Sequence, residues 1–287
     1  MANPLPVLPP LSLDHLVVTV RFDLDAASAL FERMGFTLTP MGRHAMGSIN
    51  HLILFDGCYL ELIGVPRDAD VQRKEVLDAP IGIDSLVLRP DSADAVFDAL
   101  TRAGYPIMPL HAFSRPIERD GRTQDVKFRT VRTLPGTFAA GRFYYCEQVT
   151  PELVWMPEFM HHANGVNGMS ALVLVADDPQ AVAEQYRGWV GASVEVVDDD
   201  ARRLRIDDFD LEVISANRYR HRFGAMAVDA LGRSSYFGAI RMTVRDADRL
   251  QGKLDRSPPD MIEVDRRTGR TLVKLRGFNV ALEFVVA

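Results

Sequence analysis

One strand-like pattern occurs four times along the chain, and this repeat constrains the fold more than any other feature of the sequence. Runs of apolar and β-branched residues are centred on positions 15, 85, 171 and 239. Each run is followed by an amphipathic helical segment and, further on, by strand-like segments that end in a second apolar run. Supersecondary units that repeat in this way pack against each other, so the sequence predicts an assembly of modules.

The first copy shows the unit most clearly. Residues 13–20 are typical of a short buried strand, and residues 26–34 have the apolar spacing of a helix that ends at Gly35. Together with the strands that follow, this order predicts a βαβββ module. Those strands are expected at residues 36–39, 49–55 and 58–65.

The spacing of the copies predicts an α+β fold in which four βαβββ modules form two pairs. Residues 153–168 contain Pro157 and two Asn-Gly turn signals and lack the strand pattern, so they are expected to be a linker in which His161 and His162 are exposed. We therefore predict an N-terminal module pair at residues 11–152 and a C-terminal module pair at residues 169–287.

The copies differ at two positions that can carry chemistry. A histidine occupies the opening strand of the first copy only, whereas a glutamate recurs in every closing strand. The C-terminal pair is therefore predicted to be a degenerate scaffold or a homodimer surface. The opening positions are His15, Ser85, Ala171 and Ala239, and the closing glutamates are Glu61, Glu147, Glu212 and Glu283.

Ionisable side chains within apolar strands predict a metal site in the N-terminal pair. Residues two apart in a strand share a face, and the faces around His15 and Glu61 are apolar. A carboxylate buried there is costly unless it is paired, hydrogen-bonded or bound to a cation. We predict that His15, Glu61 and Glu147 hold a divalent metal ion (Zn, Ni, Mn or Fe), and that Glu147 also moves a proton. Without the repeat, a hydrogen-bonded core histidine would be the simpler interpretation of His15.

Further polar residues are expected to reach the same site. His44 and His51 flank the turn into the third strand, and His51 is predicted to act as an acid or base or as a substitute ligand. His44, Asn50 and Ser85 are predicted to contact the substrate. The alternative is that the histidines belong to a polar loop at the rim.

Composition and charge argue against nucleic acid and membranes as partners, so a small-molecule partner is expected. The formal net charge of −6 and the pI of about 5.7 leave no basic surplus for nucleic acid. No apolar run approaches the roughly 20 residues that cross a bilayer. With only two cysteines, Cys58 and Cys146, a reducing compartment is expected, so the sequence predicts a cytoplasmic protein and permits a homodimer.

Several short motifs resemble the glyoxalase-like domain family of the vicinal oxygen chelate superfamily, which includes glyoxalase I, extradiol dioxygenases and bleomycin-resistance proteins. The resemblance implies that paired modules form half-barrel domains whose cup surrounds a divalent ion. It also implies that ligands lie on the first and last strands of a module, where Ser85 departs from the usual histidine. The motifs are residues 13–18, 42–44, 47–51, 59–63 and 150–155.

The resemblance and the candidate residues allow three functions. The leading hypothesis is a metal-dependent lyase or isomerase of the glyoxalase-like type that acts on a small oxygenated metabolite. An Fe(II) extradiol-type ring-cleaving dioxygenase is the second, and it needs His51 to join His15. The third is a metal-free protein that binds or sequesters a small molecule, in keeping with Ser85.

Overall fold

The computed structural model describes residues 5–44, 46–119 and 121–286, and its fold is α+β. Within these residues, sixteen strands form two eight-stranded sheets, and six α-helices accompany them. The elements follow the βαβββ order four times, which confirms the predicted modules. Ala287, the last residue of the predicted C-terminal pair, lies outside the described residues, as do Ala45 and Asp120 of the N-terminal pair.

The first two modules build the N-terminal sheet. A short helix after the fourth strand is additional to the βαβββ pattern. The elements are β1 (Leu11–Arg21), α1 (Leu24–Arg33), β2 (Gly42–Arg43), β3 (Ile49–Leu54), β4 (Tyr59–Gly64), α2 (Lys74–Asp78), β5 (Gly82–Pro90), α3 (Ala93–Arg102), β6 (His111–Arg119), β7 (Arg122–Arg132) and β8 (Arg142–Gln148).

The last two modules build the C-terminal sheet. Here too a helix, α5, is added between the modules. The elements are β9 (Val166–Ala176), α4 (Pro179–Val190), β10 (Val194–Asp198), β11 (Ala201–Ile206), β12 (Phe209–Ser215), α5 (Ala216–Phe223), β13 (Ser235–Val244), α6 (Ala247–Leu254), β14 (Ile262–Arg267), β15 (Arg270–Leu275) and β16 (Val280–Val286).

Strand pairing joins consecutive modules within the chain. The N-terminal sheet has the order β2-β3-β4-β1-β5-β8-β7-β6, and the C-terminal sheet has the equivalent order β10-β11-β12-β9-β13-β16-β15-β14. In each sheet the two opening strands are antiparallel neighbours, and each is parallel to the closing strand of its own module. The edge strands β2 and β6 also contact each other, so the N-terminal sheet curls towards a closed barrel.

Four of the helices lie between the two sheets. The apolar faces of α1, α3, α4 and α6 and the inner faces of both sheets belong to one hydrophobic cluster. The face of each sheet that points away from this core carries a hydrophobic cluster of its own. We call these two faces the N-terminal cup and the C-terminal cup. Because the sheets share a core, the domain boundaries at residues 152 and 168 stay a prediction.

Local signals explain most of the helix boundaries. The side chain of Ser92 accepts a hydrogen bond from the backbone of Ala95 (3.2 Å), and that of Asp178 accepts one from Ala181 (3.0 Å). The helix α4 ends at Gly191, whose φ of 66° is the left-handed conformation that glycine adopts readily.

Two sequence expectations about the N-terminal half are corrected by the structure. The second strand lies at Gly42–Arg43, not at residues 36–39, although Thr39 still donates a backbone hydrogen bond to Leu52 (2.9 Å). His162, expected to be exposed in the linker, is buried between the backbone of Thr37 and that of Leu54. The linker therefore packs against the N-terminal sheet. Among the described residues, no helix has the length and apolar character needed to span a membrane.

Candidate functional site

The N-terminal cup encloses a cavity of about 460 Å³. This volume lies within the usual range for pockets that bind small molecules. The strands of both modules and the hairpin β6–β7 surround it, so its wall combines apolar and charged side chains. Apolar residues that line it include Val17, Leu52, Ile63, Met108, Phe113 and Phe128.

A bulge in β1 brings two acid–base groups together at this cavity. The pairing of β1 with β5 shifts between Leu13 and His15, so Asp14 is displaced from the regular alternation of the strand. The carboxylate of Asp14 is fully buried and lies 2.6 Å from Nδ1 of His15. Asp14 also accepts a hydrogen bond from the side-chain amide of Gln148 (2.6 Å).

The imidazole of His15 has a neighbour at each ring nitrogen and an aromatic ring stacked on one face. Its Nδ1 faces the carboxylate of Asp14, which acts as an acceptor, so we assign the proton to Nδ1 and the lone pair to Nε2. The hydroxyl of Tyr144 lies 3.1 Å from Nε2 and donates to it. The ring stacks on Tyr59 with centroids 4.4 Å apart. His15 is thus oriented as a base that faces the cavity.

Glu61 lies next to His15 and is ionised. One of its carboxylate oxygens is 3.7 Å from Nε2 of His15, and the other accepts a hydrogen bond from the amide of Asn50 (2.6 Å). Burial acts to raise the pKa of Glu61, but the imidazoles of His15 and His44 and the hydrogen bond from Asn50 outweigh burial and lower that pKa overall. A negative charge beside His15 stabilises the imidazolium that forms when Nε2 takes a proton.

His44 completes the polar side of the cavity in its neutral form. Its Nδ1 lies 2.8 Å from the hydroxyl of Ser48, and its Nε2 lies 3.4 Å from the amide nitrogen of Asn50. Burial lowers the pKa of His44 to about 4, against the opposing charge of Glu61. The predicted substrate contacts His44 and Asn50 therefore do lie at the same cavity as His15 and Glu61.

The structure does not bring Glu147 to this site. Val17 pairs with Glu61 in the first module, and the equivalent Val87 pairs with Tyr144 in the second. Tyr144, three residues before Glu147, therefore occupies the position that corresponds to Glu61. Glu147 lies on the helix side of the sheet, where it accepts a hydrogen bond from the backbone nitrogen of Ala93 (2.9 Å). The sequence alignment followed the glutamate spacing, whereas the strand register sets the true equivalence.

His51 also lies outside the site. Its neighbours Asn50 and Leu52 line the cavity, so the alternation of β3 directs His51 to the opposite face. There its Nδ1 lies 2.7 Å from the backbone oxygen of Thr39. The predictions of His51 as an acid–base group and as a substitute ligand do not agree with this placement.

Ser85 occupies the position equivalent to His15 but is engaged locally. It is fully buried and donates a hydrogen bond to Asp84 (3.1 Å), which lies at a second bulge. Arg142 also donates to the carboxylate of Asp84 (2.6 Å). The second module thus places a serine, a tyrosine and an arginine–aspartate pair where the first places its histidine and glutamate.

These residues do not fit the metal site that the family resemblance implies. His15 and Glu61 are two adjacent groups of ligand type, and Asp14 orients His15 as outer-shell carboxylates do in metal sites. Across the ranges 5–44, 46–119 and 121–286, however, no three His, Cys, Asp or Glu side chains are arranged to hold a metal ion. Protein metal sites of the expected kind use three or more ligands.

The sequence argument missed Asp14, Tyr144 and Arg115 as site residues. A signal for the first was present, because an aspartate precedes the opening position in both N-terminal copies, as Asp14 and Asp84. Tyr144 could be found only from the register of β8. Arg115 lies in an arginine-rich segment, and the composition of such a segment is typical of a solvated face.

Comparisons with known proteins agree with this architecture. The model of the family described as "Glyoxalase-like domain" matches residues 13–190. A search of curated proteins finds no match.

Solved structures with the same fold share little sequence with the chain. A hypothetical protein from Staphylococcus aureus has 12% identity and a TM-score of 0.65, with 96% of this chain and 100% of that chain covered. A mutant 4-hydroxymandelate synthase from Streptomyces coelicolor has 13% identity and a TM-score of 0.56, with 97% and 93% covered. An extradiol ring-cleaving dioxygenase from B. fuscum has 12% identity and a TM-score of 0.54, with 100% and 74% covered.

Identities this low show the fold alone, which is that of the vicinal oxygen chelate proteins. The family model adds a match in sequence that covers more than half of the chain. The chain therefore belongs to the glyoxalase-like domain family.

Proposed function

We propose that the N-terminal cup is the active site of an enzyme that moves a proton on a small oxygenated metabolite, as a lyase or an isomerase does. The observation that carries the proposal is the hydrogen-bonded series Asp14–His15–Tyr144 at the cavity wall, with Glu61 beside it. A carboxylate that fixes the tautomer of an imidazole is the arrangement that makes histidine an effective base.

His15 is the base of the proposed reaction. A proton on the carbon next to a carbonyl group moves to Nε2 of His15, and the electron pair of the C–H bond moves into the carbonyl as an enolate. If the deprotonated carbon carries a hydroxyl group, return of the proton to the former carbonyl carbon completes an isomerisation, while the hydroxyl proton passes to the other oxygen. If the β carbon carries a leaving group, the electron pair of the enolate forms a double bond between the α and β carbons as that group departs, which completes an elimination. Asp14 and Glu61 stabilise the imidazolium in between.

Tyr144 is the donor for the enolate oxygen. Burial raises the pKa of Tyr144, so its hydroxyl stays protonated and can donate a hydrogen bond. In the structure that hydroxyl donates to Nε2 of His15. A substrate carbonyl between the two groups would take over this hydrogen bond and leave the lone pair of Nε2 free.

None of these steps passes through a metal ion. Divalent ions supply Lewis-acid stabilisation of an enolate in many relatives of this fold, but the donor set at His15 and Glu61 falls short of such a site. The iron-dependent ring-cleaving alternative needs a second imidazole beside His15, and His51 does not supply it.

Binding without turnover is the second candidate. The observation in its favour is that the second module contributes Ser85, whose hydroxyl is engaged with Asp84, at the position where the first module has its base. A binder needs the cavity but not the lone pair of His15, so the two functions differ in their dependence on that residue.

Deuterium exchange tests the proposal directly. The purified protein is incubated in D2O with dihydroxyacetone, 2-oxobutanoate or phenylpyruvate, and loss of the α-proton signal is followed by ¹H NMR above the protein-free rate. We expect protein-dependent exchange that falls by about 10²- to 10⁴-fold in His15→Gln. His51→Gln is the matched control, because it removes a neighbouring histidine on the opposite face, and it should keep the wild-type rate.

Three outcomes contradict the proposal: no protein-dependent exchange with any probe, equal losses in His15→Gln and His51→Gln, or complete loss after treatment with a chelator. Metal content measured by mass spectrometry on the same samples completes the test. One bound ion per chain that disappears in both His15→Gln and Glu61→Gln would restore the metal-dependent mechanism.

A further inference from the structure

The cavity contains one arginine that differs from the others. Four guanidinium groups line it, and three of them lie near carboxylates. The fourth, Arg115, has no hydrogen bond or ion pair within residues 5–44, 46–119 and 121–286. The pairs are Arg73 with Glu75 (3.0 Å), Arg132 with Glu75 (3.7 Å) and Arg142 with Asp84 (2.6 Å).

Arg115 is also deeply buried, with only 8% of its surface exposed. Burial of an unpaired charge is unfavourable, and buried polar groups in proteins almost always have partners. A guanidinium that is buried and lacks a partner is therefore a group whose partner is expected to arrive from outside the chain. Burial lowers the pKa of Arg115, and the nearby Tyr59 and Glu61 oppose this effect without reversing it.

The position of Arg115 places its charge within the proposed active site. Arg115 lies on β6, and β6 meets β2 where the barrel closes. A Cβ atom at Gly42 of β2 would lie 2.9 Å from Nη1 of Arg115 and would overlap Oδ1 of Asn50. The absence of a side chain at Gly42 makes room for both groups.

Asn50 links this corner to the acid–base groups. Its amide nitrogen donates to Glu61 (2.6 Å), while its Oδ1 is buried without a hydrogen-bond partner. An unsatisfied donor group on Arg115 and an unsatisfied acceptor on Asn50 thus meet at one end of the cavity. Such a corner is suited to an oxygenated ligand that brings its own acceptor and donor atoms.

We propose that Arg115 binds the carboxylate of the substrate, so that the cavity takes an oxygenated carboxylic acid with an apolar body. This inference rests on the proposed function, because it assigns the substrate class of the same site. The planar guanidinium pairs with both oxygens of a carboxylate. The apolar wall, where Phe113 and Phe128 stack with centroids 5.2 Å apart, receives the rest of the molecule.

Three phenyl compounds with different polar head groups test the inference, and the acid and the amide among them are a matched pair. Binding of 3-phenylpropanoate, 3-phenylpropanamide and phenyl phosphate to the full chain is measured by isothermal titration calorimetry or ligand-detected NMR, without turnover. We expect the wild type to prefer the acid over the amide by about 10- to 100-fold, the range of a charge-assisted hydrogen-bonded pair. Arg115→Gln should remove this preference, and Arg115→Lys should restore part of it.

The control variant is Arg122→Gln, which removes an exposed arginine from the same hairpin and should keep the preference. The Tm of Arg115→Gln should equal or exceed that of the wild type, because an unpaired buried charge is lost; a fall in Tm of more than about 5 °C would mark a structural role instead.

Each of the other outcomes of the binding experiments either supports or overturns the inference. Equal Kd values for acid and amide, or no binding of any probe at millimolar concentration, overturn the inference. A preference for phenyl phosphate over the acid assigns the oxyanion to a phosphate and overturns the carboxylate assignment. His15→Gln should keep the preference for the acid while losing deuterium exchange, so a failure of the anion site and a failure of the proton-transfer mechanism give different results.

Discussion

Each of the two cups is built from its own pair of βαβββ modules, yet one cup is open and the other is filled. The N-terminal cup holds a cavity of about 460 Å³. In the C-terminal cup the helix α5, which follows β12, inserts Tyr219 and Phe223 against the concave face, and both side chains are fully buried. The hydroxyl of Tyr219 donates to the backbone of Gly238 (2.8 Å) and accepts from Val228 (3.1 Å). The side chains of α5 thus fill the C-terminal cup.

The equivalent glutamates show the same contrast in charge. Glu212 pairs with Val173 as Glu61 pairs with Val17, so the two carboxylates hold the same position in their sheets. Glu61 accepts a hydrogen bond from Asn50 (2.6 Å) and lies 3.7 Å from the imidazole of His15, whereas Glu212 is bound by Arg222 (2.7 Å) and Arg241 (2.8 Å). A strand position can therefore keep its residue type while its partners change from an imidazole and an amide to two guanidinium groups.

The largest effect is expected from emptying the filled cup. Phe223→Ala removes a fully buried ring from α5 and should lower the free energy of unfolding by about 4 kcal/mol, measured by urea denaturation. Phe113→Ala makes the same change in the wall of the open cup, where the ring is 38% exposed, and should cost about 1 kcal/mol. Equal losses in the two variants would show that the cups are filled to the same extent.

The next effect concerns the arginine network of the C-terminal cup. Glu283 is 1% exposed and binds Arg222, Arg241 (3.0 Å) and Arg270 (3.0 Å). Glu283→Gln leaves these cations without their central anion and should lower the free energy of unfolding by about 3 kcal/mol. Glu61→Gln, which keeps the acceptor for Asn50, should lower it by less than about 1 kcal/mol while it reduces deuterium exchange. If Glu61→Gln lost more stability than Glu283→Gln, Glu61 rather than Glu283 would be the carboxylate that stabilises the fold.

Acid should act on the N-terminal half first, with a smaller effect. Burial lowers the pKa of both His162 and His44 to about 4, well below the ordinary 6.5. As the pH falls below 6.5 the unfolded chain takes up these protons before the folded chain does, so stability is full above about pH 6.5 and falls as the pH approaches 4. His162 accepts from the backbone of Thr37 through Nδ1 (3.0 Å), which a proton would prevent.

Hydrogen exchange between pH 7 and pH 4.5 measures this difference. Protection of β3 and β4 should decrease before that of β12 and β16, with a loss of about 2 kcal/mol from His162. His162→Gln should have a shallower pH dependence of stability than the wild type. Simultaneous loss of protection in both sheets would mean that the shared core couples the halves more strongly than the histidines separate them.

The sequence allowed the modules to be predicted because their signals are local. Alternating apolar residues, helix caps and turn pairs each act within a few neighbours, and the opening positions His15 and Ser85 could be aligned from them. His44, Asn50 and Glu61 reach one cavity because β3 and β4 form a tight hairpin around Asp56 and Gly57, so their relative placement depended on short-range pairing.

The rest depended on long-range pairing. The run Tyr144-Tyr145-Cys146-Glu147 has the same apolar character in either register, and only its pairing with β5 shows that Tyr144 corresponds to Glu61. The arginines at 218–222 have the composition of a solvated helix face, yet Arg222 is drawn inward by Glu212 and Glu283. Both glutamates lie too far from Arg222 along the sequence for a local pattern to reveal these ion pairs.

The smallest expected effect tests this difference between spacing and register. Glu147→Gln removes a carboxylate that lies at the N-terminus of α3, where it accepts from Ala93, and 3.5 Å from Arg129. The variant should lose about 0.5–1 kcal/mol of stability, because a negative charge at a helix N-terminus is favourable. Its deuterium-exchange rate should stay within about twofold of the wild type, in contrast to Glu61→Gln. If Glu147→Gln instead lost exchange as fully as Glu61→Gln does, the glutamate spacing in the sequence would describe the site better than the strand register, and the open cup would extend to the helix side of β8.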